Sequence, residues 1–221
     1  MSTENSESGW DMESMKKTLI VIALLLTCCL ALFARRTGSI MSFGYDAQIG
    51  WNSNNKIYMV TGPSLGMSSI WTYGSASESM GYFNRIDMKI DLQHMNTEGN
   101  WQSYDPSKTS RLHLFEIGGF GFNLPVGYNA RVMMGLGLSF EVDYYHSSSY
   151  SSLYDLWGFG ASGEFILNLT DSLSLDVGVA TSYVILAYAG IDGPDYFYYG
   201  EVDSAKGFRN VSAKVSLGLS F

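Results

Sequence analysis

Hydrophobic and polar residues alternate with a period of two along most of this chain. The last eleven residues show the pattern most clearly: every odd position from Val211 to Phe221 is apolar, and every even position is Ser, Lys or Gly. Because successive side chains of a β-strand point to opposite faces, this segment predicts a strand with one apolar face. A strand that continues to an aromatic terminal residue is expected to be bonded into a closed sheet, because unpaired termini tend to fray.

The same alternation predicts eight strands after residue 38 and no helix of useful length. Two of these strands are poorly defined. Pro63 interrupts the second, because proline cannot donate to a ladder, and Glu116 shares the apolar face of the fourth. A carboxylate that faces lipid is unfavourable, so we expect a bulge or a change of phase near Glu116. The predicted strands cover residues 40–51, 57–73, 82–94, 110–124, 131–145, 157–169, 173–185 and 211–221.

The predicted connections alternate in length. The connections after the second, fourth and sixth strands are shorter than those after the third, fifth and seventh, of which the last two cover residues 146–155 and 189–209. Short turns at one end and longer loops at the other are typical of outer-membrane barrels, whose longer loops face the outside of the cell.

Composition identifies the solvent that the apolar faces meet. Charged residues make up 15% of the 221 residues, well below the roughly 25% usual for soluble domains. The polar faces carry mostly Gly and Ser, which suit a narrow barrel interior better than a hydrated exterior. The sequence therefore predicts an all-β, eight-stranded antiparallel up-and-down transmembrane barrel, closed because lipid cannot hydrogen-bond a free sheet edge. A soluble, lipocalin-like ligand-binding barrel is the distant alternative. An aromatic girdle is predicted near the outer strand ends, at Trp51, Tyr144, Trp157 and Tyr183.

The amino-terminal segment predicts export. An apolar run from Thr18 to Ala34 follows Lys16 and Lys17, which is typical of a cleavable signal peptide over residues 15–34. An uncleaved membrane anchor is the alternative. Residues 1–14 are predicted to be an unstructured extension, and residues 39–221 the barrel. The formal net charge of −8 argues against nucleic-acid binding.

The signal segment, the eight alternating strands and the terminal sequence K-V-S-L-G-L-S-F resemble the small outer-membrane barrels of the OmpA and OmpX type. The resemblance implies location in the outer membrane of a Gram-negative-type envelope, contact with outer-membrane lipid, and insertion by the barrel assembly machinery, for which Phe221 would be the assembly signal. It also implies a monomer with a structural or surface-interaction, adhesion-like role and an unknown extracellular partner.

The polar face places seven acids and three bases in the predicted lumen. Lys214 and Asp46 lie at similar heights on strands that meet at barrel closure, which predicts an ion pair between them. Glu164 and Asp176 flank one turn and are expected to repel unless a base reaches between them. A plug of ion pairs is predicted, since an eight-stranded interior is narrow; a narrow, cation-preferring pore is the alternative. The ten lumen residues are Asp46, Arg85, Asp87, Lys89, Asp91, Glu141, Asp143, Glu164, Asp176 and Lys214.

Candidate chemistry outside the lumen is sparse, and the sequence predicts no enzyme, metal site or cofactor. His146 and Ser148, with Asp155 or Glu164 as the acid, faintly resemble an outer-membrane lipid A deacylase, but a serine-rich loop produces H-x-S easily. His94 and His113 are interpreted as ordinary strand-end residues without metal-ligand spacing. A final aromatic cluster predicts either surface recognition or an extension of the girdle; it consists of Tyr196, Phe197, Tyr198 and Tyr199.

Overall fold

The computed structural model describes residues 39–51, 57–72, 80–95, 100–105, 108–194 and 196–220. The predicted extension, the predicted signal peptide and Phe221 lie outside these residues. Within the described part of the chain, no helix is both long enough and apolar enough to cross a membrane.

Eight antiparallel strand positions form a closed ring, and β1 closes it by pairing with both β2 and β11. The strands β3 and β4 share one position, while β5 and β10 extend β4 and β9 beyond the ring. The predicted eight-stranded up-and-down barrel is therefore confirmed. The strands are β1 (Ser39–Trp51), β2 (Ile57–Thr72), β3 (Met80–Ile90), β4 (Gln93–Met95), β5 (Trp101–Ser103), β6 (Thr109–Pro125), β7 (Ala130–Ser147), β8 (Ser151–Asn168), β9 (Leu173–Gly193), β10 (Tyr196–Glu201) and β11 (Arg209–Ser220).

The two ends of the barrel differ. The turn side carries the tight connections at residues 126–129 and 169–172 together with Ser39 and Ser220, and the loop side is the opposite end. Following the paired residues once around the ring leads from Trp51 back to Ser39 of the same strand, a stagger of 12 residues (51 − 39). Strongly staggered barrels have steeply tilted strands.

Pro63 does not interrupt the second strand, so that expectation is wrong. The carbonyl of Thr61 accepts a hydrogen bond from the Leu92 amide at 2.9 Å, which shows that odd residues of β2 turn their backbone groups toward β3 and β4. The register shifts by one residue on that neighbour, between Lys89 opposite Ser64 and Gln93 opposite Thr61. This bulge lies opposite Pro63, where β2 has no amide to donate.

The predicted change of phase in the fourth strand is also wrong. The register of β6 is unbroken against both β3 and β7, and Glu116 pairs with Ile86 on one side and Phe140 on the other. Glu116 therefore shares the outer face with Leu112 and Phe120. Odd residues of β6 face the interior.

Two predicted loops are largely strand. β7 and β8 are joined by residues 148–150 alone, and most of residues 189–209 forms the hairpin of β9 with β10. The prediction that the connection between the fifth and sixth barrel strands is longer than the connections at the turn side is therefore wrong. In residues 143–147 of β7 and 196–201 of β10, side chains on both faces are polar or aromatic, apart from Gly200, so hydrophobic alternation disappears while backbone pairing continues.

Exposure in the barrel is inverted relative to a soluble protein. Phe43 on the outer face is 67% exposed, whereas Arg85 and Lys214 on the inner face are 0% and 1% exposed. Large apolar side chains are exposed on every strand of the ring. Charged residues are almost never fully buried in soluble domains unless they are paired.

The turn-side half of the interior is filled by apolar residues, which we call the apolar plug. Phe83 lies against Gly121 of β6 and Gly135 of β7. A Cβ at Gly135 would lie 2.0 Å from Cδ1 of Phe83, so glycine is required for this close approach. The plug consists of Ile40, Ile70, Phe83, Phe115, Ile117, Met133, Ile166 and Ala180.

Candidate functional site

The ten charged residues expected in the lumen all lie on the inner face. Asp176 lies beside Ile40 of the apolar plug, because a Cβ at Gly218 would be 2.2 Å from Oδ2 of Asp176 and 2.8 Å from Cγ2 of Ile40. Nine of them are buried and Asp143 is half-buried. Polar side chains inside a barrel need partners, because few waters reach them. These partners divide the lumen into three connected groups.

The first group is centred on Arg85, whose Nε donates to Oδ2 of Asp87. Its Nη1 donates to Oγ of Ser162 at 3.0 Å and lies 3.4 Å from Oε1 of Glu164. Oδ1 of Asp87 accepts a second charge-assisted bond from Nζ of Lys214 at 2.6 Å. The Arg85 guanidinium and the Asp87 carboxylate of β3 thus connect this strand to β8 and β11.

The predicted Lys214–Asp46 ion pair is wrong, although the two residues are directly opposite in register. Lys214 donates instead to Asp87, and also to Oγ of Ser42 at 2.8 Å. The long lysine side chain reaches across the lumen, while Asp46 lies 3.4 Å from Nζ of Lys89. Register fixes which Cα atoms are opposite, but the length of a lysine allows a more distant partner.

The second group follows Lys89 toward the loop side. Nζ of Lys89 donates to Oε1 of Gln48 at 2.5 Å and lies 3.3 Å from Oδ1 of Asp91. Asp91 is in turn 3.4 Å from Nε of Arg111, which donates to Oδ1 of Asp143 at 2.8 Å. The predicted lumen residues do not include Arg111, because the sequence does not define which face of the fourth strand points into the barrel.

The third group surrounds Glu141. Oγ of Ser182 donates to Oε1 of Glu141, and Nδ2 of Asn210 donates to Oε2 at 2.9 Å. Nε2 of His113 also lies 3.2 Å from Oε2 and 3.4 Å from Nε2 of Gln48. His113 is therefore a buried lumen residue, and its interpretation as an ordinary strand-end residue is wrong.

Arg85 is the base that reaches the acid pair of Glu164 and Asp176. Arg85 contacts Glu164, whereas Oδ1 of Asp176 accepts from Oγ of Ser174 at 2.7 Å. The two carboxylates thus have separate partners.

The three groups leave little free space. One gap between them, lined by Asp46, Lys89 and His113 among others, has a volume of about 20 Å³. This is room for about one water molecule. With the apolar plug on one side and ion pairs on the other, the described lumen acts as a filled, cross-linked core.

The loop side opens into a vestibule of about 660 Å³, whose lining includes four tyrosines together with Arg111 and Asp143. The ring of His94 packs against that of Tyr104 with a centroid distance of 4.6 Å and an angle of 32° between the ring planes. Because Arg111 is committed to Asp143, the walls combine aromatic faces with charges that are already paired. The tyrosines of the vestibule are Tyr104, Tyr145, Tyr150 and Tyr154.

Part of the opening is covered by residues 202–208. Phe208 stacks on Tyr58 at 5.4 Å, and the amide of Val202 donates to the carbonyl of Ala187 at 2.9 Å. Lys206 at the surface forms hydrogen bonds with Asp203 and Glu201, which raise the pKa of its ammonium group.

The predicted girdle residues lie on the outer face. Trp51 and Tyr183 flank Arg209 in one paired row, with the guanidinium 5.9 Å from the Tyr183 ring centroid. Trp157 is 49% exposed and Tyr144 is half-buried. Their role at a membrane interface stays a prediction.

The aromatic cluster from the last predicted loop forms strand β10. All four side chains are exposed by 47–58%, and Tyr199 stacks on Tyr188 at 6.2 Å. Within the described residues β10 pairs with β9 alone, so its second edge carries free backbone groups.

The residues of the deacylase-like pattern are not assembled. His146 pairs with Ser151 in the β7–β8 register, four residues away from the Val142–Asp155 pair, and Glu164 is inside the lumen with Arg85. The ring of His146 stacks on Tyr144 at 6.5 Å. A nucleophile, base and orienting acid must lie within hydrogen-bond reach of one another, which this arrangement does not provide.

Comparisons with known proteins agree with the barrel. Neisserial surface protein A has a TM-score of 0.50 and 11% identity, covering 83% of this chain and 97% of its own. OprG from Pseudomonas aeruginosa has a TM-score of 0.48 and 12% identity, over 84% and 96% of the two chains. Ail of Yersinia pestis has a TM-score of 0.46 and 10% identity, over 84% and 99%. No family model matches the sequence, and no curated protein is similar to it. At such identities the likeness concerns the fold.

Proposed function

We propose that this chain is an integral outer-membrane β-barrel protein, a monomer whose closed barrel holds a recognition surface outside the cell. The observation that carries the proposal is the inverted exposure, with apolar side chains around the outside and paired charges within. A soluble barrel would expose this apolar belt to water at a large free-energy cost. Insertion by the barrel assembly machinery, with Phe221 as the terminal signal, belongs to the same proposal.

Extraction and gel migration test the membrane assignment. We expect the protein to stay in the membrane fraction after an alkaline carbonate wash and to leave it in detergent. A closed barrel is also expected to migrate faster on a gel before boiling than after, because the folded form stays compact in detergent. Release by carbonate without detergent would contradict the proposal and favour the soluble, lipocalin-like barrel.

The role of the barrel is best supported as surface interaction. The exposed aromatic residues of β10, the edge of β10 that no described strand pairs with, and the vestibule with its four tyrosines all lie on the loop side. Exposed aromatic clusters and free edges are features that partners use for recognition. A pore receives no such support, because the described lumen is filled.

Substitution of the β10 aromatics tests this role. We expect Tyr196→Ser, Phe197→Ser, Tyr198→Ser and Tyr199→Ser combined to reduce adherence of expressing cells to immobilised collagen, fibronectin or laminin by about tenfold or more, the loss typical of binding hot spots. Heat-modifiable migration should be unchanged, since these side chains are outside the ring. Tyr128→Ser on the turn side is the matched control. Adherence that is equal in all three proteins would contradict a recognition role for β10.

A further inference from the structure

Glu116 is an ionisable residue on the outer face, midway along β6. Its neighbours in register, Ile86 and Phe140, are apolar. Ionisable side chains at the level of lipid are costly, and where they occur they generally mark functional sites. The outward position of Glu116 does not result from a strand irregularity, because the register of β6 is continuous on both sides.

The surroundings of Glu116 are polar on one side. Nδ2 of Asn84 donates to Oε1 of Glu116 at 3.1 Å, and Asn84 is 6% exposed. Gly118 allows the Tyr82 hydroxyl to lie against the sheet nearby, since a Cβ there would be 2.8 Å from that oxygen. Among the described residues Oε2 of Glu116 has no hydrogen-bond donor. In lipid, no water supplies one.

A hollow of about 420 Å³ lies beside this carboxyl group, open to the outside of the barrel. Ile185, the extra residue of a bulge opposite Trp157, forms part of its rim. Phe140 and Trp157 form the wall, with ring centroids 4.4 Å apart. A mostly apolar cavity of this size with a few placed polar groups is the usual form of a small-molecule site. The main lining residues are Tyr82, Glu116, Leu138, Phe140, Trp157 and Ile185.

We propose that this hollow binds a lipophilic molecule that has a compact apolar body and one hydrogen-bond donor, a hydroxyl or an ammonium group. The donor bonds to Oε2 of Glu116, and the body packs on Phe140 and Trp157. A lipid tail fills the hollow but brings no donor. A second copy of this chain would place hollow against hollow, which leaves both unfilled.

Carbodiimide labelling measures access to Glu116 from lipid. In dicyclohexylcarbodiimide, the acid O–H adds across one N=C bond, and the acyl group then shifts to nitrogen to give a stable acylurea with no leaving group. With the full-length barrel in phospholipid vesicles, peptide mapping should locate this adduct at Glu116, and Glu116→Gln should lose it. A Glu116 that never reacts would overturn the proposal, because the carboxyl would then be inaccessible from lipid.

Three matched competitors identify the ligand chemistry: adamantane, 1-adamantanol and N,N-dimethyl-1-adamantanamine, a tertiary amine that cannot couple to the activated carboxyl group. We expect the alcohol or the amine to slow labelling of Glu116 by about tenfold, the equilibrium effect of one hydrogen bond, while adamantane does not. Protection by the amine alone indicates an ammonium ligand, and protection by the alcohol indicates a hydroxyl ligand. Equal slowing by all three, or by none, would overturn the proposal.

A variant of the aromatic wall tests whether the competitors protect Glu116 by binding in the hollow. Trp157→Ala should leave Glu116 reactive toward the carbodiimide but abolish protection by the alcohol and the amine. Protection that persists in Trp157→Ala would show that the competitors bind elsewhere, and would overturn the assignment.

Discussion

Replacement of Arg85 by Met is expected to destabilise the barrel by about 3–5 kcal/mol, the cost of removing one partner from a buried ion pair. Arg85 is fully buried and binds Asp87, Glu164 and Ser162. Without it, the Glu164 carboxylate loses its cation, and Asp87 keeps only Lys214. Urea unfolding in vesicles, followed by loss of the fast-migrating gel form, measures the change.

Two further variants show whether the cost arises from the unpaired carboxylates. Arg209→Met makes the same substitution on the outer face, where the guanidinium is exposed, and should cost less than about 1 kcal/mol. Adding Glu164→Gln to Arg85→Met should restore part of the lost stability, because it removes the charge left without a partner. Equal destabilisation by Arg85→Met and Arg209→Met would refute a stabilising role for the lumen network.

Strand number, strand order and inner or outer facing could be predicted where the two faces differ in polarity. In β11 every inward residue is polar or Gly and every outward residue from Val211 to Leu219 is apolar, so the period of two defines both faces. In β6 the inner face changes from Arg111 and His113 to Phe115 and Ile117 as it enters the apolar plug. Alternation then carries no polarity signal, so the facing of this strand could not be predicted.

The partners within the lumen could not be predicted from the sequence. Register places Lys214 opposite Asp46, yet Lys214 bonds to Asp87, which is three strands away around the ring. In a narrow barrel, a long side chain reaches residues on several strands, and the choice depends on how all the carboxylates share the available cations. Arg111 competes for Asp91 in the same way.

Glu116 illustrates a different limit. The rule that a carboxylate avoids lipid predicted a bulge, but backbone pairing across both edges of β6 kept the register and left Glu116 outside. A continuous ladder of hydrogen bonds outweighs one unfavourable side chain, which Asn84 partly satisfies. Positions where the structure departs from a local rule in this way are candidates for function.

Phe43→Arg is expected to destabilise the barrel in vesicles by about 2–4 kcal/mol, the cost of an arginine on the lipid face near mid-depth. Phe43 is 67% exposed, lies near the middle of β1, and its register partners Leu65 and Leu217 are also exposed and apolar. No outward carboxylate is paired with these positions. Urea titration of the refolded protein measures the change.

Two variants isolate the effect of lipid. Phe43→Leu keeps an apolar side chain and should cost less than about 1.5 kcal/mol, and Tyr128→Arg, in the fully exposed turn at residues 126–129, should cost about 0–1 kcal/mol. If the outer face met water instead of lipid, Phe43→Arg would be close to neutral and would raise solubility, because an exposed arginine is readily hydrated. A neutral result for Phe43→Arg would therefore contradict both the membrane assignment and the proposed site at Glu116. If Phe43→Arg is strongly destabilising and the two control variants are not, the membrane assignment holds, and the labelling of Glu116 decides whether the proposed site exists.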